Sequence, residues 1–286
     1  MKSSICSFAF HRHFFSGIVD ALKYIELSRE LGVTHLHFWI VHLLKDLDMA
    51  EVRRWDWTPG SPEIPSWMNA PQDDGWAREI RQTTEGLGLE HEMLAMEKGY
   101  AHLQSPAERQ KHRNFLREWI EFAGKVGIPA IRVDPGGQRD LSPLEVQNIV
   151  TSYREVVSMA KDHGVRIFVE NHWGASQQPD FLNHLLDKVE GLGLLLDSWN
   201  FGSAEERSYG WASLSHRAEA VHIKTRQVDS NGIEHMYPID DGIKQLCSNN
   251  YDGIWGIESF PQNEEEEIEA VQNTLKLIQR AVSDSS

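Results

Sequence analysis

The chain has 286 residues, 40% hydrophobic and 25% charged, enough to bury a large core as one big domain or two modest ones. Its 28 basic residues against 43 acidic ones leave a net charge of −15, a field that repels phosphate backbones and argues against a nucleic-acid partner. Cys6 and Cys247 give no disulfide framework and fit a reducing cytoplasm, and no run of about 18 apolar residues exists to span a membrane.

In chain order, ICSFAF (5–10) reads as a buried strand, interrupted by His11, Arg12 and His13 before a signal-peptide core is complete. A helical pattern over 18–31 closes on Gly32, and THLHFWI (34–40) is the next strand. A long connection then carries Trp55, Trp57, Trp67 and Trp76 among prolines up to a helix over 75–87. LEHEMLAM (89–96) precedes a helix over 106–126, AIRVD (130–134) a helix over 142–163, and VRIFVE (165–170) a helix over 179–189. LGLLLD (192–197), AVHIK (220–224) and GIWGIE (253–258) are followed by helical patterns over 203–216, 239–248 and 263–282. Strands apolar on both faces that alternate with helices indicate a parallel sheet, and eight such units fit one closed (β/α)8 barrel, a single domain over 1–286. An open doubly wound sheet would be expected to show a glycine-rich phosphate loop, and no GxGxxG or Walker pattern occurs.

Two further stretches stand out, and one of them has two readings. The long Trp-rich loop after the second strand is an insertion with its own aromatic core, a lid whose indoles, Trp55 and Trp57 among them, stack on the apolar face of a sugar ring, or both at once. The EEEE run at 264–267 follows Asn263, a good N-cap, so its charges are expected in the first helical turn, complementing the helix dipole.

Four consecutive strands carry a potential metal ligand at the carboxyl end: Glu170, Asp197, His222 and Glu258. In a barrel that end is where side chains from different strands converge. If these point inward, so do Phe168, Leu195, Ala220 and Gly256 two residues earlier, several of them small enough to leave room beneath an ion. Three carboxylates and one imidazole suit one divalent ion, Mn²⁺ or Mg²⁺ first, then Co²⁺ or Zn²⁺, and the absence of thiolate ligands weighs against a structural zinc. Such a set leaves octahedral positions open for substrate or water.

With these residues in place the sequence resembles the xylose-isomerase-like barrel superfamily of sugar isomerases, ketose 3-epimerases, inosose-processing enzymes and keto-glycoside lyases. VENHWG, LLLDSWN, VHIKTR and GIWGIESF carry the likeness, with IRVDPGG and its Arg132 on the fourth strand. The resemblance implies that Glu170 and Glu258 exchange protons with the substrate from opposite faces. Likeness to the keto-glycoside-cleaving relatives with a Glu-Asn-His sequence implies His172 as the base instead. A multi-zinc phosphodiesterase site is incomplete here, since Asn200 stands where the DNA-repair branch has a second histidine. Many relatives carry an aspartate after the His-Ile-Lys run, whereas this chain has Thr225 and Arg226.

Lys224 shares the inward face with His222 and either holds a substrate hydroxyl or pairs with a ligand carboxylate. Arg132 either orients Glu170 or contacts substrate. Arg226, Trp55, Trp57 and His11 complete the substrate-side candidates, and His13, His37 and His42 cluster with His11 near the first two strands. The leading expectation is a metal-dependent isomerase or epimerase of a sugar or keto-sugar, working by proton transfer next to a carbonyl and a metal-held enediolate. The alternative on the same scaffold is a lyase cleaving a 3-keto-glycoside or dehydrating a keto-sugar by β-elimination, and a third reading is a sugar-binding barrel without turnover. A homo-oligomer is compatible with all three.

Overall fold

The computed structural model describes residues 1–58 and 60–284, so Pro59 of the Trp-rich segment and the last two residues lie outside the description. Eight parallel strands close in chain order into a barrel, β1 (Ser3–Cys6), β2 (His35–Trp39), β3 (Glu90–Met96), β4 (Ala130–Val133), β5 (Arg166–Glu170), β6 (Gly193–Asp197), β7 (Ala220–Thr225) and β8 (Ile254–Ser259). β8 pairs back onto β1, with Ser4 opposite Gly256. Ten α-helices accompany them among the described residues: α1 (His11–Ser16), α2 (Ala21–Glu30), α3 (Met49–Arg54), α4 (Asp74–Gly86), α5 (Pro106–Val126), α6 (Pro143–Lys161), α7 (Pro179–Lys188), α8 (Ala204–Leu214), α9 (Asp240–Ser248) and α10 (Glu267–Asp284). None of the described helices is long and apolar enough to cross a membrane.

Local chemistry sets the helix ends. Ser105 and Ser142 cap α5 and α6 through Glu108 N and Glu145 N, with proline at the start of each helix, and Gly127 ends α5 at φ 88°. The main core lies between barrel and helices, while Met93, Ala130, Phe168, Leu195 and Ala220 form a separate apolar layer inside the barrel. That inner layer is the floor expected from period-2 alternation. Gly193 and Gly256 are needed in it, because a Cβ would strike the Phe168 ring at the first and the Val221 carbonyl and His222 ring at the second.

One expectation is corrected near the start of the chain, and another is extended near its end. The first strand stops at Cys6, and the rest of its apolar run turns through a 3₁₀ segment (Ser7–Phe10) into α1. Ser7 makes this turn, since its hydroxyl accepts the Trp39 N–H at 2.8 Å and meets His42 Nδ1 at 3.0 Å. Asn263 caps the EEEE run as foreseen, with Glu264, Glu265 and Glu266 in the first turn, while Glu267 is fully buried. Phe10 offers no side chain to cap α1, and Glu267 does so from across the chain. Its carboxylate accepts the N–H groups of Arg12 (3.1 Å) and His13 (3.2 Å), and His13 Nδ1 at 2.6 Å.

Glu267→Ala is therefore expected to lower stability by about 2–4 kcal/mol, since a cap is lost and buried donors are left without acceptors. Denaturant melts check this, and a change within about 0.5 kcal/mol, the range of ordinary surface substitutions, would show the carboxylate to be incidental.

Of the two readings of the Trp-rich segment, the structure bears out the first. Trp57 packs on Trp39 at 5.4 Å and on Trp67 at 6.1 Å, and Trp55 meets Trp67 edge-on at 6.0 Å, so an aromatic core exists. Past this core the segment docks on the loops that follow β3. Lys98 Nζ donates to Ser61 O at 3.1 Å, and His112 Nε2 meets Pro62 O at 3.0 Å while its Nδ1 accepts Gly99 and Tyr100 N–H groups.

Candidate active site

The parallel register brings the strand-end side chains together. Asp197 stands opposite His222, and Lys224 opposite Glu258. One ligand atom from each of Glu170, Asp197, His222 and Glu258 falls within 4.8 Å of the others, and all four residues are buried. His222 Nδ1 faces Glu170 Oε1 at 3.3 Å and Glu258 Oε2 at 3.1 Å. Asp197 Oδ1 is fixed by the N–H groups of Trp199 (2.6 Å) and Asn200 (2.8 Å), whereas its Oδ2 has no hydrogen-bond partner among the described residues.

The electrostatics follow from three buried carboxyl groups crowded on one point. Burial opposes ionisation of Glu170, but Arg132, His172 and His222 outweigh it and hold the carboxyl down at about 2. Burial likewise opposes Glu258, and Lys224 and His222 keep it well below the usual carboxylate range. Asp197 is pushed up to about 7 by burial, with Lys224 opposing and Glu258 and Glu170 adding to the rise. His222 is lifted to about 10 against its own burial by its bonds to Glu170 and Glu258. Three carboxyl groups this close favour a compensating positive charge, which a divalent cation would supply. The donor set is oxygen-rich with one imidazole, so the residues fit a hard divalent metal.

Around this group stand the other predicted residues. Lys224 Nζ lies 3.1 Å from Glu258 Oε1 and 3.5 Å from Asp197 Oδ2, and donates to Asn200 Oδ1 at 3.0 Å. It thus pairs with ligand carboxylates, one of the two roles foreseen. Arg132 is buried, with Nε 2.9 Å from Glu170 Oε2 and Nη1 3.0 Å from Asp134 Oδ2. His172 Nδ1 lies 2.9 Å from the same Asp134 oxygen. Burial lowers the His172 pKa, yet Asp134 and Glu170 raise it above the ordinary histidine value.

His11 contacts Phe8 and Phe260 at 4.8 Å each, those two rings lying 5.7 Å from one another, and its Nδ1 meets Phe8 O at 3.0 Å. Burial and the Arg12 charge lower its pKa to about 4, so the ring is neutral. Arg226 is engaged with the loop after β8: it donates to Phe260 O at 2.7 Å and covers that ring at 4.9 Å. Trp55 and Trp57 sit in the aromatic core described above. His13 and His42 are structural, held by Glu267 and by Ser7 with Phe14. His37, by contrast, reaches the site.

Sequence reading missed four neighbours. Glu97 and Asp134 close on His172 within 4.8 Å, and Cys6 closes on His37 and His222. Asp134 ends the AIRVD run just as Asp197 ends LGLLLD, and that parallel was a usable signal. Burial pushes the Cys6 thiol up, so it remains a neutral neighbour and not a thiolate donor. Glu92, beside His37, had no signal at all, because a bulge in β3 places it there.

Among solved structures the fold is shared with a D-tagatose 3-epimerase-like protein (TM-score 0.71, 14% identity, 99% of each chain covered). It is shared also with a 3-keto-D-glucoside 4-epimerase from E. coli (0.67, 14%, 91% of this chain and 94% of that one). A protein titled probable 3-DHS dehydratase from Bacillus anthracis is similar too (0.68, 17%, 96% and 98%). No curated protein matches in sequence. A family model described as xylose isomerase-like TIM barrel matches residues 57–280, from the Trp-rich segment into the last helix, and the chain belongs to that family.

Proposed function

We propose that the protein is a divalent-metal-dependent isomerase or epimerase of a sugar or keto-sugar, moving a proton on the carbon next to a carbonyl. The observation that carries this reading is the convergence of Glu170, Asp197, His222 and Glu258 on one point at the mouth of the barrel. These four residues would hold the ion, which supplies a Lewis acid for the substrate's carbonyl and hydroxyl oxygens. Manganese is the metal the donor set favours first.

The chain's own groups do the rest. Glu170 and Glu258 both bring a carboxylate to His222 Nδ1, and from there each would reach a bound substrate to take and return a proton. Lys224, fixed by Asn200, Asp197 and Glu258, binds a hydroxyl or offsets negative charge developing on the substrate. His11, Phe8 and Phe260 supply an apolar wall for the C–H face of the sugar.

One observation favours a second reading, a β-eliminating lyase. His172 is not among the four ligands, and Asp134 holds its Nδ1, leaving Nε2 for a substrate proton. That is the arrangement of an oriented base.

A panel of ketohexoses and 3-keto-glucosides, run in D₂O with Mn²⁺, tests both. Epimerisation or isomerisation with deuterium incorporated at the α-carbon is the expected result, and release of an aglycone or of water would move the assignment to the lyase. Metal-loaded protein that binds these sugars without exchanging any proton would reduce the barrel to a binding protein.

A further inference from the structure

The ligand histidine has a partner of its own. His222 presents Nδ1 to Glu170 and Glu258, and its opposite nitrogen, Nε2, lies 3.3 Å from Nδ1 of His37. The two rings are 4.6 Å apart and inclined by 47°. His37 is completely buried, its backbone N–H fixed by the Tyr24 hydroxyl at 3.1 Å, and its own Nε2 has no partner among the described residues. Glu92 Oε2 stands 3.6 Å from the same Nδ1, beyond hydrogen-bonding reach, and adds a buried carboxylate behind the ring.

A neutral imidazole that gives the Nδ1 lone pair to a metal must carry its proton on Nε2. An ion on Nδ1 would make that N–H a stronger donor, so the acceptor opposite it decides how readily the ring holds the tautomer, and His37 then keeps its own proton on Nε2. We propose that His37 is that acceptor: a positioning residue which fixes the tautomer and the plane of His222 for metal binding. The inference rests on the reading of the four-residue set as a metal site. It adds a requirement from the other side of the barrel, 185 residues away in sequence.

Two substitutions separate hydrogen bonding from packing. His37→Phe keeps a ring but removes the acceptor, whereas His37→Asn carries an amide oxygen where Nδ1 stands. In Mn²⁺ titrations, His37→Phe is expected to bind roughly 10–100-fold more weakly and His37→Asn to stay near the wild-type affinity. Melting of the metal-free proteins reports whether each variant is folded. Wild-type affinity in His37→Phe, or an equal loss in both variants, would overturn the proposal. Asp197→Asn serves as the reference. If it loses the metal while His37→Phe does not, His37 has no role, and if it too keeps the metal, the site reading itself fails. Should His37→Phe not fold, nitrogen NMR of the wild-type protein loaded with Mg²⁺ decides. The proposal requires the His222 proton on Nε2, and a proton on Nδ1 overturns it.

Discussion

Asp197→Asn and Glu258→Ala should each yield a folded barrel that retains no stoichiometric divalent metal and has no measurable turnover. Asn is the informative replacement at 197, because Asp197 Oδ1 also accepts the Trp199 and Asn200 N–H groups and an amide oxygen can keep that turn. What is lost is a donor charge from the set itself. The effect on affinity should therefore exceed the roughly 10–100-fold that loss of an outer partner costs. Metal-free stability should move the opposite way. The Asp197 carboxyl is raised to about 7, above its unfolded value, so folding favours the protonated form. Its contribution is fully present below the unfolded pKa of about 3.9 and is lost as pH rises through about 7. Asn cannot ionise, so metal-free Asp197→Asn should be more stable than wild type above that pH, by an amount on the order of a few kcal/mol. Metal analysis and melts with and without Mn²⁺ report both halves. A fully metallated, active Glu258→Ala protein would sink the ligand assignment.

His172→Asn is expected to leave metal content and folding intact and to slow catalysis by roughly 10²–10⁴-fold, the usual cost of losing a general base. Asp134 sharpens this expectation. Its Oδ2 receives both the His172 and Arg132 groups, and Arg132 in turn pairs with Glu170. Asp134→Asn should therefore slow the same step by less, since the imidazole stays but its orientation is weakened. Solvent deuterium exchange at the substrate α-carbon is the readout that matters. If exchange in His172→Asn continues at the wild-type rate, a glutamate removes the proton and the two-carboxylate form of the reaction stands.

The sequence showed most of this architecture because its signals were local. Strand runs and helix caps are written in neighbouring residues, and each of the four clustered residues lies at or near the end of its own apolar run. Ser7 was invisible in the same way that Glu267 was: nothing in SFAF or EEEE shows that one residue turns a strand and another leaves the solvent. Both act on groups far along the chain, Trp39 and His13. Glu92 escaped for a different reason. Strict alternation predicts facing only where pairing is regular, and the register of β2 on β3 shifts between Leu36 and His37.

The buried Glu267 has a consequence for how such barrels can be recombined. Arg12 and His13 belong to the first βα unit and Glu267 to the last, yet they form one hydrogen-bonded cluster. A chimera that took its final quarter from a homologue lacking this carboxylate would join strands correctly and still release α1. The Phe8–His11 wall at the mouth would loosen with it. For this chain, the first and last units are inherited together or not at all.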